Sequence, residues 1–267
     1  MAWERKFMNH QINNLNKQKG STIIVVLLML LLLTIVGVMA IRTSMTTLNI
    51  ATNAQVGQLA SQTADTPINQ MFLEDLNKQV NLSSILGKAL KDADTEPGKE
   101  YVFCYKPKEN KRFGVVTSMA VIKSTGTGIS LVEGSTDNFC NLTTDFGSAR
   151  KGVVTQVSIK IPMDTSDLPP LALLARNINV SGGQNIPQGV TEQKRLRMTT
   201  VAVMPVYAKN LASAQACLKN NINDDSDSET AGQKTTAQCL VDLGIPVNSQ
   251  VQEFNLQTFM TMINAPT

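Results

Sequence analysis

From Gly20 to Ile41 the chain reads GSTIIVVLLMLLLLTIVGVMAI, apolar almost throughout and without a charge, which is enough to cross a bilayer core as one helix. The helical pattern does not stop there. Residues 43–64 also carry no charge, and Ile41, Met45, Leu48, Val56 and Leu59 recur at spacings of threes and fours, with Thr52 filling the gap. A helix from Ser21 to about Thr66 would be about 70 Å long at 1.5 Å per residue. A membrane anchor does not need that length. A filament subunit does, with the first half packed among other subunits and the second half under its own globular part; a linker helix or stalk is the plainer alternative.

Thr66-Pro67 reads as a helix start, with Thr66 as N-cap and Pro67 at the first helical position, so either the long helix kinks here or a second one begins. Ile68, Met71, Phe72, Leu76 and Val80 form an apolar stripe, extended by Ile85, Leu86, Ala89 and Leu90 until Glu96-Pro97-Gly98 breaks it. Such a stripe is expected to face a core. Beyond it the period changes. Tyr101–Tyr105, Phe113–Ile122, Ile129–Glu133, Val153–Ile161 and Arg195–Tyr207 are rich in β-branched residues and predict four or five strands, joined by short connections into an antiparallel sheet. Leu168–Arg176 reads as a short helix and Ser181–Gln184 as a loop.

Charge changes the picture only at the N-terminus. Arg5, Lys6, Lys17 and Lys19 against Glu4 account for the whole net charge of +3, leaving the rest of the 267 residues neutral. That excludes a diffuse basic field for gathering nucleic acid. Lys194, Arg195 and Arg197 form one local basic patch, expected on a solvated strand edge rather than against phosphate. Basic residues before the apolar run, with only Arg42 soon after it, orient the N-terminus to the cytoplasm and the remainder outward.

All four cysteines, Cys104, Cys140, Cys217 and Cys239, therefore fall on the oxidising side, where two disulfides are expected. Four cysteines allow three pairings; sequential pairing suits local loop closure best. Their spacing does not suit a compact zinc site. Between the last two runs Asn223-Asp224-Asp225-Ser226-Asp227-Ser228-Glu229, whose alternating oxygens at Asn223, Asp225, Asp227 and Glu229 could surround calcium. Without the glycine and spacing of an EF-hand, a solvated, mobile acidic loop is the expectation, with calcium or a partner protein as the alternative.

No catalytic constellation is legible. The one histidine, His10, and the one tryptophan, Trp3, both precede Gly20, and neither a Walker A loop nor a nucleotide-type GxGxxG is present. The expectation is a protein that is not an enzyme.

The stretch Lys17-Gln18-Lys19-Gly20-Ser21-Thr22-Ile23-Ile24 sets a basic leader ending in glycine directly before the apolar run. It resembles the type III signal of type IV prepilins and pseudopilins. The resemblance implies that a membrane aspartyl prepilin peptidase cuts after Gly20 on the cytoplasmic side and that Ser21 becomes the N-methylated first residue. Glycine suits that cut, because a peptidase grips an extended backbone that a side chain would obstruct. Most pilins carry a glutamate at the fifth mature position, thought to neutralise the N-terminal amine of a neighbour; here that position is Val25. The run STIIVVLLMLLLLTIVGVMAIRTSM resembles PilX-type minor pilins, which share this substitution with GspK-type pseudopilins of type II secretion. In such proteins the missing acid is explained by a place at the filament tip, with no subunit above.

The resemblance implies an α+β, pilin-like fold: a cytoplasmic leader (1–20), a membrane-spanning and filament-packing helix (21–66) and an extracytoplasmic head (67–267), in which the helix packs against an antiparallel sheet. A Cys217–Cys239 bond would fence off Leu218–Gln238, resembling the disulfide-bounded loop near the C-terminus of many pilins. The function implied is that of a minor pilin helping to start pilus assembly and supporting twitching, adhesion or DNA uptake. Its partners would be other minor pilins, the major pilin, prepilin peptidase and a tip adhesin, first in the inner membrane and then on the cell-surface pilus. Two alternatives stay open: a type II secretion pseudopilin, and a signal-anchored periplasmic binding or sensor domain. A secretory signal cut near Val38-Met39-Ala40 is a further reading of the apolar run.

Overall fold

The computed structural model describes residues 21–73, 82–93, 95–108, 113, 116–148, 151–163, 194–228 and 230–256. The leader, the expected helix at 168–176, the loop at 181–184, and Leu76 and Val80 of the apolar stripe lie outside them. The chain divides into two compact units, with the boundary in the chain between Val56 and Gly57.

The first unit is helical. Helix α1 (Ser21–Leu73) is continuous over 53 residues, and its N-terminal part is long and apolar enough to cross a membrane. The threonine hydroxyls along it turn back onto the preceding turn. Thr34 donates to the Leu31 carbonyl at 2.8 Å, Thr43 to Met39 at 2.7 Å, and Thr52 to Leu48 at 2.8 Å. Each hydroxyl is thereby satisfied within the helix, which is why an uncharged, threonine-rich segment can be covered by apolar neighbours without an unpaired donor.

In the second unit, α1 continues from Gly57 and buries Ala60, Ala64, Ile68 and Met71, one residue per turn. The small alanines let the backbone come close to the sheet, where the Thr200 hydroxyl donates to the Ala64 carbonyl at 2.8 Å. Thr66 is not an N-cap. The helix runs through it, its hydroxyl donates to the Gln62 carbonyl, and Pro67 is accommodated inside the helix at the cost of one backbone bond. The apolar stripe resumes on α2 (Ile85–Asp92), capped by Ser84, with Ile85, Leu86, Ala89 and Leu90 buried as expected for a core face.

Six strands follow: β1 (Lys99–Tyr105), β2 (Ala120–Ser124), β3 (Ile129–Gly134), β4 (Val154–Lys160), β5 (Lys194–Val203) and β6 (Val247–Leu256). They form one sheet in the order β3-β2-β1-β4-β5-β6, every neighbour antiparallel. Between β5 and β6 lie α3 (Leu211–Asn220), capped by Asn210, and α4 (Thr236–Asp242), which opens with a Thr235/Gln238 capping box. Alternation along the strands divides the sheet into two faces. Tyr101, Phe103, Tyr105, Val157, Ile159, Leu196 and Met198 pack in one cluster with Ile68, Met71 and α2. Val154, Val201 and Val203 pack in another with α3, Leu240 of α4 and both disulfides.

Strand boundaries differ from the sequence pattern in two places. Val116–Ser118 is a single 3-10 turn, so the strand expected from Phe113 begins only at Ala120. The strand expected to reach Tyr207 ends at Val203, because Pro205 cannot donate to a ladder and opens a 3-10 turn instead. Strand β6 and helices α3 and α4 were not legible beforehand.

Candidate functional site

Two regions bear on function: the first turns of α1 and the sheet face under the disulfide-bounded loop. In the first, Val25 is on α1 and 56% exposed, within a run whose large apolar side chains are all exposed. Ser21 is the first described residue of that helix, and Gly20 lies outside the described residues.

The second region starts from strand register. Glu100 on β1 pairs with Lys160 on β4, Lys160 with Arg197 on β5, and Arg197 with Glu253 on β6. Four charged residues on four adjacent strands therefore form one row across one face of the sheet. Glu100, Lys160 and Arg197 are buried, and the segment after α3 covers them with Asp224 and Asp227, also buried. Arg197 Nη1 reaches Asp227 Oδ1 at 2.8 Å and Asp224 Oδ2 at 3.0 Å, while its Nη2 bonds Glu253 Oε1 at 2.7 Å. Lys160 Nζ meets Asp227 Oδ2 at 2.8 Å. The Asn223 amide donates to both Glu100 oxygens at 3.1 Å, and Gln156 Nε2 donates to Asn223 Oδ1 at 3.0 Å.

Burial would raise the Asp227 pKa, but the hydrogen bond and charge of Lys160, followed by those of Arg197, hold it below the ordinary carboxylate range. Burial likewise opposes the charge on Arg197, yet its bonds to Glu253 and then Asp224 keep its pKa raised. Glu100 goes the other way. Its complete burial pushes the carboxyl up, against the Asn223 amide and the Lys160 charge.

This cluster corrects two expectations. Arg197 is not on a solvated edge: β5 is an interior strand, and the guanidinium is engaged by three carboxylates. Arg195 is also paired with Glu253, at 3.5 Å. Nor is the acidic segment solvated and mobile as a whole, because Asp224 and Asp227 are its anchors to the sheet. Of the calcium candidates, Asp227 is held by two cations, Asn223 Oδ1 accepts from Gln156, Asp225 is half-buried and Glu229 lies outside the described residues. Among the described residues no group of three or more His, Cys, Asp or Glu is arranged to hold a metal.

The disulfides join Cys104 to Cys140 and Cys217 to Cys239. The first ties β1 to the segment after β3; the second closes the loop that carries Asp224 and Asp227. Glu100, Lys160, Asp224 and Glu253 were missed as site residues. The only local signal was a charge close to the end of a strand, Glu100 near the start of β1 and Lys160 at the end of β4.

No curated protein and no solved structure matches the chain. Residues 19–69 match the model of the family described as PilX N-terminal. That match spans the glycine-to-serine junction, Val25 and α1 almost to its end, and the fold around it is a long apolar N-terminal helix with an antiparallel six-stranded sheet and two disulfides. Over residues 19–69 the chain is similar to the N-terminal segment of the PilX family of type IV pilins.

Proposed function

We propose that the protein is a minor pilin acting at or near the tip of a type IV pilus, where it helps start assembly with other minor pilins and supports twitching, adhesion or DNA uptake. The observation that carries this reading is the continuous α1 without any acidic residue from Ser21 through Ala64, Val25 included. A carboxylate in the membrane is costly unless paired, so a subunit with nothing above it does better without one. The helix inserts with its N-terminus cytoplasmic, is cut after Gly20 by prepilin peptidase and is then drawn into the filament beside the major pilin. Its role is structural, and the charge-anchored head is the part it displays, to a tip adhesin or a surface.

Mass spectrometry of the N-terminus, in cells with and without prepilin peptidase, tests this. The expected product begins at an N-methylated Ser21 only when the peptidase is present. A chain beginning at Met1 or Ile41 in normal cells would overturn the proposal.

A further inference from the structure

From Ser21 through Ala64 one charged side chain interrupts α1: Arg42. It is exposed and has no ion-pair partner among the described residues. Its own helical neighbours offer none, since Val38, Met39, Met45 and Thr46 occupy the positions three and four residues away, and the Thr46 hydroxyl donates to the Arg42 carbonyl. The next acid along the chain is Asp65, well beyond the reach of one side chain along a helix.

In the bilayer this guanidinium lies just beyond the apolar run and can reach lipid phosphate. Once α1 leaves the membrane and is covered by other helices, that ligand is gone and nothing in α1 replaces it. A guanidinium so covered without a counter-charge is an uncompensated buried ion, whereas the uncharged residues on either side can be covered by any apolar neighbour. Arginine, with its planar fork of donors, suits a carboxylate better than lysine would.

We propose that Arg42 pairs with a carboxylate of a neighbouring filament subunit and thereby fixes the axial position of α1 against that subunit. This rests on the filament reading above. The pairing makes Arg42 the one level of the first half of the helix at which the neighbour's chemistry is specified; elsewhere only shape is.

The test compares full-length Arg42→Gln, Arg42→Lys and Arg42→Glu in otherwise normal cells. Each sample gives the N-terminus by mass spectrometry, the membrane pool, and the amount in sheared pili normalised to that pool. Arg42→Gln is expected to lower incorporation by about tenfold or more, as for loss of one partner of a buried charge pair. Arg42→Lys should retain more, and Arg42→Glu should be rescued by an Asp or Glu to Arg change in one neighbouring pilin. Processed variants that enter pili at the normal level, Lys no better than Gln, or a fall in the membrane pool alone, which would mark a lipid contact, each overturn the proposal. A chain that is never cut after Gly20 instead sinks the filament reading itself, and with it this pairing.

Discussion

Replacing Arg197 by Met keeps most of the side-chain volume and removes the cation that meets Asp224, Asp227 and Glu253 at 2.7–3.0 Å. Both aspartates are nearly inaccessible to water, and the cation left to them among the described residues is Lys160, 2.8 Å from Asp227 and 4.0 Å from Asp224. Breaking a buried ion pair from one side costs about 3–5 kcal/mol, because the stranded charge keeps its desolvation penalty. Glu253, partly exposed, adds little. For a unit of this size a loss of that order lowers the midpoint by roughly 6–20 °C. Urea and thermal unfolding of the full chain in detergent, disulfides intact, measure it, with Asp225→Ala, half-buried on the same loop, as a control expected to change stability by under about 1 kcal/mol. Asp227→Asn and the double variant complete a cycle, and the two substitutions should not add. A loss below about 1 kcal/mol for Arg197→Met, or strict additivity with Asp227→Asn, would refute the claim that the row anchors the loop.

Further outcomes follow from the same geometry. Because Asp227 has a depressed pKa when folded, its stabilisation is present above the ordinary carboxylate value and is lost as pH falls through the folded value; acid unfolding should show this, and Asp227→Asn should lessen it. Glu100 has a raised pKa, so its contribution is present below the ordinary value and lost as pH rises through the folded one; Glu100→Gln should gain stability relative to the parent over that rise, as urea titration at several pH values would register. Replacing Cys217 and Cys239 by Ser opens a loop with a sequence separation of 22 and should cost about 3 kcal/mol, with faster proteolysis between the two positions. Val25→Glu should relax confinement to the filament tip; labelled subunits still found only at filament ends would count against the tip account.

Much of the first unit was legible because its determinants are local. A helix in lipid satisfies its backbone within itself, so an uncharged run of sufficient length is enough to specify α1, and the Gly20-Ser21 junction with Val25 is linear information. Ile68, Met71, Ile85, Leu86, Ala89 and Leu90 of the apolar stripe were readable for a similar reason: helical period shows which residues share a face. Thr66-Pro67 misled, because a capping residue followed by proline looks the same whether a helix starts there or merely tolerates the proline. Strand β6 was hidden by its composition, VNSQVQEFNL, where Asn, Ser and Gln occupy positions that β-branched residues would have marked.

By itself the sequence determined the membrane-capable helix, the uncharged extension that leaves Arg42 alone, and the oxidised state expected of four cysteines beyond the span. Only the tertiary structure decided where the charges of the head go. Glu100, Lys160, Arg197 and Glu253 come from strands far apart in the chain, and each pattern fixes only which face a residue takes. Which residue lies opposite depends on register between distant strands, a long-range choice made when the sheet assembles and the closed loop brings Asp224 and Asp227 over it. Arg197 of the basic patch and the acidic loop, each expected in water, thus became each other's counter-charge, because once buried neither could keep its charge without the other.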